Sequence, residues 1–78
     1  MRKNIVNHNF TVKQLKSIIR ELNIQLGRLE AQGTHSEVRE KMLDISHYDA
    51  MLFKMIPFKE YAQFDEEVGD LRAEERAR

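Results

Sequence analysis

Few residues in this chain have the type and spacing for chemistry. The histidines are His8, His35 and His47, and Asp44 stands three residues before His47. On a helix that spacing places both groups on one face, as metal ligands require. Two such groups hold a metal weakly, and the same spacing is common by chance. There is no cysteine, so thiolate catalysis and Cys-ligated zinc are excluded. No Gly-rich phosphate loop occurs, and no nucleophile has a base at a fixed spacing. The expectation is no catalytic, cofactor-binding or metal-binding residue, no cofactor, and a protein that is not an enzyme. A distant third reading is an active site shared between subunits.

Two charged features point elsewhere. Lys13, Lys16 and Arg20 form a basic stripe at helical spacing, and Arg2 and Lys3 would extend it. Such a stripe is either a solvated face that balances acids elsewhere or a phosphate-contact surface. No aromatic residue accompanies it for base stacking. The second feature is Asp49, which interrupts an apolar stripe and would be costly if buried alone. It is expected to be partly exposed, to pair with Lys16 or Arg20 on the facing helix, or to set register or oligomeric state as single polar core residues do.

The elements that position these residues follow from periodicity. Val12, Leu15, Ile19, Leu22, Leu26 and Leu29 form one apolar stripe. Val38, Met42, Ile45, Asp49, Leu52 and Ile56 form another, with Gly33 between them. Steps of three and four predict two helices joined as an antiparallel, coiled-coil-like hairpin. Folding at residues 33–34 pairs the stripes in six layers, including Leu26 with Met42 and Leu22 with Ile45. Thr11 with Gln14, and Thr34 with Glu37, have capping-box spacing, with Ser36 a competing cap. Phe10 and Leu15 suit a hydrophobic staple. Gly33 suits a left-handed C-terminal cap, whereas Gly27 falls off the apolar seam.

The predicted organisation is all-α. Residues 1–10 form an irregular arm. A single domain over 11–74 holds helices near 11–32, 35–56 and 58–74, the last being shorter. Residues 75–78 form a frayed charged end. Pro57 ends or kinks the second helix. Phe58, Tyr61, Phe64, Val68 and Leu71 mark the third.

At 78 residues a single core is thin, and association completes many such cores. Net charge is zero, but unevenly placed. Residues 1–32 carry six bases and two acids, and residues 58–78 carry four bases and seven acids. The two ends are suited to pair, within one chain or between copies. The segment Ala50–Phe58 is the densest apolar run. Met51, Phe53, Met55 and Phe58 within it are the candidate protein interface, since helix 1 can cover only one side of helix 2.

The functional expectation is a small cytoplasmic protein–protein interaction module, an adaptor or inhibitor acting on a larger protein. It is expected to assemble as a homodimer or higher oligomer in which the hairpins form a bundle. The alternative is a small nucleic-acid-binding regulator that uses Lys13, Lys16 and Arg20. No membrane insertion is expected.

Overall fold

The structure, a computed structural model, describes residues 10–78. It is all-α, with three helices and no strand among the described residues: α1 (Val12–Gln32), α2 (His35–Phe53) and α3 (Phe58–Ala77). The expected arm over 1–10 lies, apart from Phe10, outside the described residues. No described helix is long and apolar enough to cross a membrane.

Both capping boxes are present. The Thr11 hydroxyl accepts from the Gln14 backbone N–H, and the Gln14 side chain accepts from that of Thr11. Thr34 and Glu37 do the same for α2, so Thr34 rather than Ser36 is its cap. Each box satisfies two orphan donors of a first turn.

Three boundaries differ from expectation. Gly33 is not left-handed: its φ is −95° and its ψ −178°, an extended conformation. Glycine suits the site through lack of space. A Cβ there would lie 2.9 Å from both the carbonyl oxygen and a methyl carbon of Leu29. Helix α2 stops at Phe53, three residues short of 56. The ring of Pro57 disfavours helix at the residue before it, and the Met55 N–H closes a tighter turn onto the Leu52 carbonyl. Helix α3 runs to Ala77, so the terminus expected to fray is helical and tied to α1.

Helix α1 is central and packs against both neighbours, whereas α2 and α3 scarcely touch each other. The described chain spans 35 × 35 × 14 Å, an open plate rather than a closed bundle. Leu15, Ile19, Leu52, Phe64 and Val68 form its buried cluster, with Phe10 packed at the edge. Leu26 and Ile45 are also buried. Met42, expected in a core layer opposite Leu26, is 54% exposed. It stands on the wall of a cleft that opens where α2 and α3 diverge.

Candidate functional site

Besides Leu15 and Ile19, which pack in the cluster with Phe64 and Val68, the contact between α1 and α3 uses a second, more polar stripe of α1. Lys16, Arg20, Asn23, Gly27 and Glu30 again step by three and four. Lys16 pairs with Glu60 at 3.0 Å, Arg20 with Glu67, Arg28 with Glu75 at 2.9 Å and Glu30 with Arg76 at 2.9 Å. The partner numbers rise together, so α1 and α3 run parallel. Gly27 is the closest approach. A Cβ there would fall 2.5 Å from the Arg72 carbonyl oxygen and 2.8 Å from the Glu75 Cβ. Only glycine lets the two backbones come this near.

This ladder places two of the three candidate phosphate contacts. Lys16 and Arg20 both lie over the ring of Phe64, at 5.5 and 5.2 Å from its centroid, in cation–π geometry. Their charges face α3 carboxylates. The hydrogen bond from Arg20 holds the Glu67 carboxyl below its ordinary range, and Glu67 in turn raises Arg20. Lys13 is exposed.

Asp49 is half-buried. Burial pushes its carboxyl above the ordinary range, and the neighbouring Tyr61 hydroxyl and Arg72 oppose this. Burial and the Asp49 charge raise the Tyr61 hydroxyl as well. Arg72 donates to the Asn23 side-chain oxygen at 3.1 Å, while the Asn23 amide donates to the Ile19 carbonyl at 2.8 Å. Asn23 is 1% exposed, so both its bonds are needed to offset desolvation. Asp49 thus lies near Tyr61 and Arg72 of α3, while Lys16 and Arg20 pair with Glu60 and Glu67.

The candidate interface lies where α2 passes into α3. Phe53 stacks edge-on against Tyr61 at 5.0 Å and Phe58 at 6.5 Å. Phe53, Met55 and Phe58 nevertheless remain 52, 48 and 71% exposed. Met51 is half-buried and packs against the core. The junction therefore presents an apolar surface with rigid aromatic anchors and one adaptable methionine.

His35 and His47 do not converge on a site. His35 and His47 are exposed, as is Asp44, and His47 stacks edge-on against Tyr48. His8 lies outside the described residues. Among the described residues no three His, Cys, Asp or Glu side chains gather as metal ligands.

The residues sequence reasoning missed are Asn23, Gly27 and Arg72. Their signal was available: Asn23 and Gly27 continue the spacing of Lys16 and Arg20. The chain matches no family model, no curated protein and no solved structure.

Proposed function

We propose that this chain is a small protein–protein interaction module, an adaptor or inhibitor that occupies a surface of a larger protein, and not an enzyme. In this reading it acts in the cytoplasm. It also associates with itself, as a homodimer or higher oligomer in which α1 and α2 serve as an antiparallel, coiled-coil-like hairpin. The observation that carries the proposal is the exposure of Phe53, Met55 and Phe58 at one junction. Contiguous apolar exposure of this kind marks association surfaces, and the described helices form a plate only 14 Å thick in its shortest dimension.

Nucleic-acid binding through Lys13, Lys16 and Arg20 is the weaker reading, because Lys16 and Arg20 already face Glu60 and Glu67. A phosphate backbone would have to displace those carboxylates.

Affinity capture from the native host with wild type and Phe58→Ala in parallel tests the proposal. Phe58 is the most exposed of the anchors, so its loss should leave the fold intact. Proteins retained by wild type and lost from Phe58→Ala would support the reading. Identical protein sets from both would overturn it.

A further inference from the structure

Helix α2 carries a second seam on its outer side. Ser36, Arg39, Leu43, Ser46, Ala50 and Phe53 follow one another by three, four, three, four and three residues, and all six are exposed. This is the heptad spacing of a coiled-coil seam. Ile45 and Leu52, the buried residues of α2, belong to its other stripe. Leu43 is 64% exposed and stands about 15 Å along the helix from Phe53, well away from the aromatic junction. The backbone stays helical through Lys54, the C-cap, at φ −79° and ψ −16°. Glu40 and Lys54 are exposed and two heptads apart, so they flank the same edge of this seam.

We propose that the outer seam of α2 receives α2 of a second copy of this chain, antiparallel and related by a two-fold axis. This rests on the self-association reading above and assigns that association a contact. The seam is complementary to itself in one such register. With the axis between residues 44 and 45, Leu43 faces Ser46 of the second copy, Phe53 faces Ser36 and Arg39 faces Ala50. Each long side chain meets a short one, as interdigitated layers require, and the axis repeats every pair. The Arg39 stem lies over Ala50 while its guanidinium stays in water. The same register brings Glu40 opposite Lys54 of the second copy on both sides of the axis. Opposite charges flanking a seam select orientation and register. A parallel pairing in register would set Leu43 on Leu43 and Ser46 on Ser46, and would leave Glu40 and Lys54 two heptads apart.

Sedimentation equilibrium on wild type, Leu43→Glu, Lys54→Glu and the double variant Glu40→Lys with Lys54→Glu tests this, with circular dichroism to follow folding. Leu43→Glu should raise the dissociation constant about tenfold or more, with helicity retained because the side chain is exposed. Lys54→Glu should raise it several-fold, and the double variant should return it to near wild type, because the two charges have only exchanged ends of one pair. An oligomer that Leu43→Glu leaves unchanged, or a double variant that associates no better than Lys54→Glu, would overturn the seam while self-association through the junction stood. A monomeric wild type would overturn the self-association reading and the seam with it.

Discussion

Replacing Gly27 by alanine sets local propensity against tertiary packing, and the two predict opposite signs. Alanine is a better helix former than glycine by about 1 kcal/mol, so an isolated α1 would gain stability. In the folded chain the new Cβ would sit 2.5 Å from the Arg72 carbonyl oxygen. A backbone oxygen cannot swing aside, so α3 must move away from α1. Overpacking of this kind costs about 1–3 kcal/mol. The same movement stretches the Arg72–Asn23 bond, and a buried amide oxygen left without its donor costs about 1–3 kcal/mol more. The loosened surface ion pairs add less than about 1 kcal/mol each. After the propensity gain is offset, Gly27→Ala should destabilise the chain by about 2–3 kcal/mol. Gly69 supplies the control, because a Cβ there would meet only the end of the Arg72 side chain at 3.6 Å. Gly69→Ala should therefore stabilise by up to about 1 kcal/mol. Urea denaturation followed by circular dichroism reads both. A Gly27→Ala midpoint at or above wild type would refute the close docking of α3 on α1.

Three further outcomes follow from burial and charge. Leu15 is fully buried and Leu22 half-buried, so Leu15→Ala should cost about 2–5 kcal/mol and Leu22→Ala clearly less in the same denaturation; equal losses would contradict the placement of the core. Because Asp49 is raised chiefly by burial, its contribution to stability is present below the ordinary Asp range and is lost as pH rises through its higher folded value. Glu67, held low by Arg20, acts oppositely, losing its contribution as pH falls below the ordinary Glu range. Asp49→Asn should thus stabilise the chain at neutral pH, by a margin that shrinks on acidification; a margin independent of pH would contradict the burial. With Lys16 and Arg20 facing carboxylates, mobility-shift assays at low salt should detect no strong DNA or RNA binding, and steeply salt-dependent binding would show that the α1 stripe opens to phosphate.

Much of the helical framework is legible in the residues because its signals are local. Thr11 and Thr34 mark helix starts through caps that need only their own first turns. The stripe from Val12 to Leu29 is visible because burial of an amphipathic face repeats with the helical period. The docking of α3 was harder to read, because Lys16, Arg20 and Glu30 have the composition of a solvated face. Only their shared spacing with Asn23 and Gly27 distinguishes them from one. Met42 shows the opposite error: apolarity at the right period does not disclose that the facing space is an open cleft. At the candidate site, the apolar density of Met51–Phe58 is evident in the sequence. Which of these residues stay exposed depends on where α2 ends, and Pro57 acts there through the residues before it.

The exposed junction calls for cover by another chain, and self-association is the most accessible form of that cover. Sedimentation equilibrium across the micromolar range, on wild type and on the combined Phe53→Ala and Phe58→Ala variant, tests it directly. The prediction is a dimer or larger species for wild type and a shift to the monomer mass for the variant, with helical circular dichroism retained. A wild-type chain at the 9.3 kDa monomer mass throughout, or a variant that associates as wild type does, would contradict it.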